Sequence, residues 1–247
     1  VLRLEERDPG EPGPGSVRVR VSASGVNFID VYMRTGLYPR PTPFVVGLEG
    51  AGVVEATGPD TKGVAKGDRV AWASVPNSYA EVLIAPAERL VRVPEGISDE
   101  VAAAAMLQGM TAHYLVQGVR VTSPGDNALV HAAAGWVGLL LIQLLKAAQV
   151  LVMGTCSSDE KEALARRAGA DEVVRYTERD FASAAREWTN GRGVDVVYDS
   201  VGKTTFEASM KSIRPRGLLC LYGQSSGVVP PFDLNRLNAM GSLCVTR

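Results

Sequence analysis

The first part of the chain shows the alternation of apolar and polar residues that is typical of β-strands. Residues 17–21 alternate with a period of two, residues 50–56 combine small apolar residues with glycine, and residues 68–72 follow a turn. Proline and glycine are dense in residues 9–15, for which we expect a surface loop. The pattern predicts a β-rich region over residues 1–95.

A helix is predicted to follow this region. Ser98 is expected to be its N-cap, and Asp99 and Glu100 fall in the first turn, where the helix dipole favours acidic side chains. The alanine run 102–105 has high helix propensity and continues the helix.

Beyond residue 110, strand-like apolar segments alternate with helix-like ones. Such alternation predicts βαβ units and a mostly parallel sheet. We therefore predict an α/β protein with a β-rich domain over residues 1–110 and a doubly wound domain over residues 111–247. The predicted strands of the second domain are 127–133, 150–154, 172–175, 194–199, 217–222 and 242–246, and its predicted helices are 136–147, 158–168, 180–189 and 204–213.

Composition limits the classes of partner. The chain is 46% hydrophobic and 21% charged, with a formal net charge of −1 and no cluster of lysine or arginine. Nucleic acids and anionic membranes attract basic stretches, so we expect neither, and a small molecule is the expected partner. The three cysteines stand singly and far apart, which indicates a reducing compartment such as the cytoplasm. His113 and His131 lack ligands at metal spacing, so no zinc site is expected.

Residues 128–148 are long and apolar enough to require a test for a membrane span. Only His131, Gln143 and Lys146 interrupt them. Gly135 and Gly138, with strand-forming residues before them and helix-forming residues after them, favour a strand, a turn and a buried helix instead.

The segment from Ala133 to Gly138 has the layout that binds the pyrophosphate of a dinucleotide. Such a site needs a strand, a tight turn of small residues and a helix whose free N–H groups point at the anion. Gly135 and Gly138 fit this pattern, and Ala133 stands where the first glycine is usual. The degenerate motif is weak alone, but the strand before it and the helix after it are the context that it requires.

The end of the next strand predicts which dinucleotide binds. An NAD site places an acidic residue there, whereas this sequence has Thr155, Cys156 and Ser157, with Lys161 behind them. Small hydroxyl residues and a lysine can accept a 2′-phosphate, which favours NADPH. The alternative is that Ser157 is only a helix N-cap and Lys161 a solvated helix residue.

Six motifs together resemble the zinc-free quinone oxidoreductases, the ζ-crystallin-like members of the medium-chain dehydrogenase/reductase superfamily. They occur in order from about residue 15 to the end of the chain. The resemblance implies a GroES-like substrate domain before the cofactor domain, NADPH as cofactor, a quinone as substrate and a homodimer. The motifs are Gly25–Asp30, Gly47–Gly52, Gly67–Val70, His131–Gly135, Asp195–Gly202 and Tyr222–Gly227.

The resemblance also assigns the site residues. Asn27, Tyr32 and Tyr38 are implied to orient the acceptor, although Tyr32 can equally be a packing residue and Asp30 a first-turn helix acid. At the places where related alcohol dehydrogenases bind catalytic zinc, the sequence has Asn27, Leu48 and Leu107, and leucine offers no lone pair to a metal. The residues implied to bind the cofactor are Asn27, Asp30, Thr111, Gly135, Trp136, Val137, Lys161, Tyr176, Ser200, Tyr222, Gly223 and Ser225.

Three features depart from that family. Trp136 stands where glycine is typical, and we expect its ring to narrow the phosphate groove. Residues 147–150 lack the glycine that normally ends the preceding helix. The family's chains are longer, so we expect the first domain to be incomplete here. A reductase of alkenals or enones, and a non-catalytic NADPH-binding protein with a structural or RNA-binding role, are the alternatives to quinone reduction.

Overall fold

The computed structural model describes residues 2–247. The chain divides into two compact units, the first ending at Met110 and the second running from Thr111 to Arg247. Each unit has its own sheet and its own buried core, and each is described by itself.

Residues 2–110 contain a five-stranded antiparallel sheet in the order β4-β1-β2-β3-β5. Its valine-rich core includes Val17, Val19, Val54 and Val70, and it surrounds the fully buried Trp72. Gly52 on β2 permits the close approach of β1, because a Cβ there would overlap the backbone oxygen of Arg20. The strands are β1 (Ser16–Gly25), β2 (Glu49–Thr57), β3 (Arg69–Trp72), β4 (Val82–Pro86) and β5 (Leu90–Arg92).

Two helices accompany this sheet. The first, α1 (Phe28–Arg34), begins after Asn27, whose backbone N–H donates to the Asp30 carboxylate at 2.9 Å. The second, α2 (Asp99–Tyr114), begins as predicted, because the hydroxyl of Ser98 accepts from the N–H of Val101 at 3.3 Å. A 3-10 turn, Ala87–Arg89, joins β4 to β5, and a π-helical turn, Leu115–Val119, extends α2.

Residues 111–247 contain a six-stranded parallel sheet in the order β11-β10-β9-β6-β7-β8. Chain order reverses between β6 and β9, so the sheet is doubly wound around that point. The predicted α/β fold is therefore confirmed. The strands are β6 (Asn127–Val130), β7 (Leu151–Cys156), β8 (Glu172–Arg175), β9 (Val194–Asp199), β10 (Ile213–Leu221) and β11 (Cys244–Thr246).

Helices cover both faces of the parallel sheet. Leu141, Ile142 and Leu145 of α3 pack with Ala165 of α4 in one buried cluster, and Ala184 of α5 packs in the cluster on the other side. Within residues 2–247 no helix combines the length and apolarity that a membrane crossing requires. The helices are α3 (Trp136–Ala147), α4 (Asp159–Arg167), α5 (Phe181–Trp188), α6 (Phe206–Ser212) and α7 (Asn235–Ala239).

Candidate cofactor pocket and active-site residues

A pocket of about 590 Å³ opens in the second unit at the carboxyl ends of β6, β7 and β9. This is the point where strand order reverses, and it is where open α/β sheets bind their ligands. Its lining includes Gly135, Ser157, Lys161 and Thr205 from the segments that follow these three strands.

The turn after β6 forms one wall of the pocket. Ala132 has the left-handed backbone conformation, with φ of 49°, and its carbonyl accepts from the N–H of Gly135 at 2.8 Å. Gly135 is the N-cap of α3, so the first N–H groups of that helix lie beside the pocket. A Cβ at Gly138 would overlap the backbone oxygen of Ala132. The glycine therefore permits the close contact of helix and turn that a pyrophosphate site requires.

Ala133 is tolerated in place of the usual first glycine because space is made on the neighbouring strand. Its methyl group faces Gly154 of β7, where an added Cβ would lie 2.7 Å away. Its N–H donates to the carbonyl of Thr155 at 3.0 Å, which fixes the turn against β7. Gly154 thus compensates for the departure at Ala133.

Trp136 does not close the pocket. It is the first residue of α3, and it is 69% exposed. Among the described residues of this turn, Ala132, Ala134 and Gly135 line the pocket. The structure therefore does not support the expected narrowing of the phosphate groove by the indole.

The segment after β7 carries hydroxyl and basic groups. The N-cap of α4 is Ser158, whose hydroxyl accepts from the N–H of Lys161 at 3.4 Å, so the alternative that made Ser157 the N-cap is wrong. The hydroxyl of Ser157 instead accepts from Nζ of Lys161 at 3.1 Å. Both Ser157 and Lys161 line the pocket.

The acidic residues near this end of the pocket are engaged elsewhere. Asp159 forms an ion pair with Arg175. Asp180, which lines the pocket, is the N-cap of α5 and accepts from the N–H of Ser183 at 2.8 Å. The basic side chain of Lys161 therefore faces the pocket together with Tyr176, which is more than half exposed.

The segments after β9 and β10 are hydrogen-bonded to each other. Tyr222 donates its N–H to the carbonyl of Asp199 at 2.9 Å, and Ser225 donates to the carbonyl of Ser200 at 3.1 Å. Gly223 permits this approach, because a Cβ there would lie 2.6 Å from the carbonyl oxygen of Ser200. The fold thus brings together, at one end of the sheet, four residues that the family resemblance assigns to the cofactor: Ser200, Tyr222, Gly223 and Ser225.

In the first unit, Asn27 is the centre of a buried polar cluster. Its Nδ2 donates to the Glu49 carboxylate at 2.7 Å, and its Oδ1 accepts from Nε2 of Gln108 at 3.1 Å. Glu49 also accepts from the N–H of Leu107 at 2.6 Å. Burial raises the pKa of Glu49, and the hydrogen bonds from Asn27 and Leu107 oppose that rise. The amide of Asn27 is therefore held on both of its polar atoms.

The remaining predicted residues of the first unit lie on or just after α1. Asp30 accepts from the hydroxyl of Tyr79 at 3.0 Å, in addition to its bond to the N–H of Asn27. Tyr32 is buried, and its ring centroid lies 5.3 Å from that of Tyr38 in an edge-to-face arrangement. Asp30 is thus a first-turn helix acid, and it also shares a hydrogen-bond network with Asn27.

The sequence of this chain is similar to known protein families and to individual known proteins. Residues 13–95 match the family model described as alcohol dehydrogenase GroES-like domain, and residues 137–247 match the one described as zinc-binding dehydrogenase. The chain is 47% identical to a quinone oxidoreductase of Pseudomonas aeruginosa, over all of this chain and 77% of the relative.

The chain belongs to the quinone oxidoreductase family of the medium-chain dehydrogenases/reductases.

Two further proteins are similar to this chain. A crystal structure of Escherichia coli quinone oxidoreductase complexed with NADPH superposes with a TM-score of 0.95 at 41% identity, covering 98% of this chain and 75% of that one. A 2-haloacrylate reductase of Burkholderia is 43% identical over 98% of this chain and 75% of the relative. The resemblance drawn from the motifs is therefore confirmed, including the GroES-like domain.

The description of one matching family model names zinc, so the donor set matters in this quinone oxidoreductase family member. At the positions where the family resemblance implies the zinc ligands of related alcohol dehydrogenases, Leu48 and Leu107 have hydrocarbon side chains, and the amide of Asn27 is bonded to Glu49 and Gln108. Across residues 2–247, no group of three or more histidine, cysteine or carboxylate side chains is placed to hold a metal ion.

Several pocket residues were not identified from the sequence. Arg179 lines the pocket near Lys161 and Tyr176, and it forms an exposed ion pair with Glu187. His131 and Thr155 also line it and are hydrogen-bonded to each other. The sequence placed His131 in a family motif but assigned it no role in the site, because its partner Thr155 is 24 positions away and becomes its neighbour only in the folded sheet.

Proposed function

We propose that this protein reduces quinones by hydride transfer from NADPH. The observation that carries the proposal is the end of β7, where Ser157 and Lys161 face the pocket at the place where an NAD site has a carboxylate. Membership of the quinone oxidoreductase family supports the substrate class, and the E. coli relative that superposes on this chain was solved with NADPH.

We assign the cofactor residues by the part of NADPH that each can recognise. Gly135, which has no side chain, lets the backbone approach the pyrophosphate, and the N–H groups of Trp136 and Val137 at the start of α3 are suited to bind it. Lys161 and Arg179 supply positive charge for the 2′-phosphate, and Tyr176 supplies an exposed ring for the adenosine. The group proposed for the nicotinamide ribose comprises Thr111, Ser200, Tyr222, Gly223 and Ser225.

The cofactor, when bound, supplies the hydride, so the protein residues must bind and orient the acceptor. One N–H of the Asn27 amide donates to Glu49, and we assign the second N–H to a carbonyl oxygen of the acceptor or of the carboxamide. Asp30 is assigned as an acceptor for the cofactor. The hydroxyl groups of Tyr32 and Tyr38 are further neutral donors, which suit an uncharged quinone.

Loss of NADPH absorbance in the presence of a naphthoquinone tests the proposal. We expect turnover with the quinone to exceed turnover with an α,β-unsaturated aldehyde under the same conditions. The reverse ranking would favour an enone reductase, a candidate supported by the identity to a 2-haloacrylate reductase. No turnover with either acceptor, despite NADPH binding, would overturn an enzymatic role.

We also propose that the protein is a cytoplasmic homodimer. The support for the dimer is β11, which lies at the edge of the parallel sheet and therefore has one side available for strand pairing. Sedimentation at several protein concentrations tests this assignment, and a monomer at all concentrations would contradict it. The free thiols of Cys156, Cys220 and Cys244 are consistent with the reducing cytoplasm.

A further inference from the structure

His131 is a buried histidine at the floor of the cofactor pocket. It follows the last residue of β6, it is 1% exposed, and it lines the pocket. Its Nδ1 lies 2.9 Å from the hydroxyl oxygen of Thr155, and its Nε2 lies 2.9 Å from the hydroxyl oxygen of Ser209. Both ring nitrogens therefore have hydrogen-bond partners on other elements of the unit.

The partners of Ser209 determine where the imidazole proton lies. The Ser209 hydroxyl donates to Oδ2 of Asp199 at 3.0 Å, and a carboxylate can only accept. A hydroxyl group has a single hydrogen, so the Ser209 oxygen must accept from Nε2–H of His131. Burial lowers the pKa of His131, although the charge of Asp199 opposes this effect, so the ring is neutral. Nδ1 then has no proton and accepts from the hydroxyl of Thr155.

The chain of hydrogen bonds ends on a carboxylate that organises another turn of the pocket. Asp199 accepts from the N–H of Val201 at 2.8 Å and from the N–H of Gly202 at 3.0 Å. It also accepts from the hydroxyl of Thr205 at 2.7 Å. Val201 and Thr205 both line the pocket, so Asp199 holds that wall in position.

The same series of hydrogen bonds is directly connected to the phosphate turn, residues 132–135. Ala132, with its left-handed backbone, follows His131, and the N–H of Ala133 donates to the carbonyl of Thr155. Thr155, His131 and Asp199 are located at the ends of β7, β6 and β9, which are adjacent strands. A side-chain network that fixes three strand ends also fixes the spacing of the loops that follow them.

We propose that His131, as the neutral Nε2–H tautomer, is a positioning residue that sets the spacing between the phosphate turn and the Val201–Thr205 turn. It acts through Thr155 on one side and through Ser209 and Asp199 on the other. The proposed effect on cofactor binding rests on the proposed NADPH site, whereas the tautomer does not depend on it.

The tautomer is directly measurable because the chain has only two histidines. Nitrogen NMR of protein labelled with ¹⁵N-histidine, assigned with a His113→Gln variant, should show His131 with a protonated Nε2 and an unprotonated Nδ1. Ser209→Ala removes the acceptor of Nε2–H and should change the distribution of the proton between Nε2 and Nδ1 of His131. Ser212→Ala is the matched control, since Ser212 is also buried on α6 but its hydroxyl bonds only the Ala208 carbonyl of its own helix. A protonated Nδ1 in the unsubstituted protein would overturn the proposal.

Cofactor affinity tests the positioning role. His131→Phe should weaken NADPH and NADH by the same factor, roughly tenfold, because the turns that it spaces hold parts common to both cofactors. His131→Gln keeps a donor and an acceptor and should restore much of the affinity, whereas a purely volume-filling role would favour Phe over Gln. Thr155→Val, which keeps the shape of the side chain, provides the same test if His131→Phe does not fold.

The outcomes separate this proposal from the proposed function. If the wild-type protein reduces quinones, and if folded His131→Phe and Thr155→Val bind NADPH and NADH with unchanged affinity, the positioning role alone is refuted. Absence of quinone turnover in a wild-type protein that binds NADPH with the predicted tautomer would refute the proposed function alone.

Discussion

The strand β9 carries a buried aspartate at each end, and the two have opposite kinds of partner. Asp195, near the amino end, is bonded by both terminal nitrogens of Arg192, by Nε of Arg214 at 2.5 Å and by the N–H of Asn127 at 2.9 Å. Asp199, the last residue, accepts only from uncharged groups, namely two backbone N–H groups and two hydroxyls. Both side chains are fully buried.

This difference separates stability from function along a single strand. At the amino end, two guanidinium groups compensate for burying a carboxylate, and Arg192, Asp195 and Arg214 do not line the cofactor pocket. At the carboxyl end, the partners of Asp199 belong to turns that line the pocket, so its hydrogen bonds order the loops. We infer that changes at Asp195 alter the free energy of unfolding, whereas changes near Asp199 alter cofactor binding.

The largest expected effect is on stability, at Asp195. Asp195→Asn removes the charge that both arginines approach, and we expect the free energy of unfolding to fall by about 3 kcal/mol, since it breaks both ion pairs of a fully buried carboxylate. Urea denaturation measures this change. Glu207→Gln, which removes an exposed pair with Arg236, is the control and should cost about 1 kcal/mol or less. Equal losses in the two variants would contradict the distinction between buried and exposed pairs.

Acid should remove the contribution of Asp195. Burial alone would raise the pKa of its carboxyl group, but the hydrogen bonds from Arg192, Asn127 and Arg214 lower it to about 2. Because the folded pKa lies below the unfolded value, the stabilisation is fully present above roughly pH 4 and is lost as the pH falls towards 2. The stability difference between wild type and Asp195→Asn should therefore shrink over that range. A difference that is constant with pH would show that the carboxylate charge is not its source.

The sequence predicted long regular elements well, because local pattern decides them. The predicted bounds of residues 136–147, 172–175 and 194–199 match α3, β8 and β9. The strand predicted to reach residue 133 ends at Val130, because the left-handed backbone at Ala132 begins the phosphate turn. The composition of residues 131–133 alone cannot distinguish the end of a strand from a tight turn of small residues.

Other features depend on contacts that are distant in the sequence. The short strands β4 and β5 were not predicted, since each is defined by pairing with β1 or β3 rather than by its own pattern. Gly154 compensates for Ala133 only because β6 and β7 are neighbours. Likewise, the contact between His131 and Ser209 spans 78 positions, so spacing along the chain gave no signal for it.

Among the residues at the carboxyl ends of the strands, Lys161, which follows β7, should have the strongest effect on cofactor binding. Lys161→Ala removes a charge-assisted hydrogen bond to the 2′-phosphate, which should weaken NADPH by roughly 10- to 150-fold. NADH lacks that phosphate and should bind with nearly unchanged affinity. Fluorescence titration with both cofactors measures the ratio, and Lys66→Ala, an exposed lysine of the first unit, is the control for net charge. Equal weakening of both cofactors would remove Lys161 from the phosphate site.

Substitution of Arg179 should have the smallest effect on NADPH affinity. Its ion-pair partner Glu187 allows variants that lower and variants that raise this affinity to be compared. Arg179 is paired with Glu187 on the surface, where such a pair is weak, so a phosphate can compete for the guanidinium. Arg179→Ala should weaken NADPH by roughly two- to fivefold, and Glu187→Gln should strengthen it by a similar factor, with NADH unaffected in both variants. Weaker NADPH binding in Arg179→Ala together with stronger NADPH binding in Glu187→Gln is expected only if Glu187 and the 2′-phosphate compete for Arg179. If Arg179→Ala instead weakens NADPH and NADH equally, the guanidinium contacts the adenine, and Lys161 alone supplies the charge that selects NADPH.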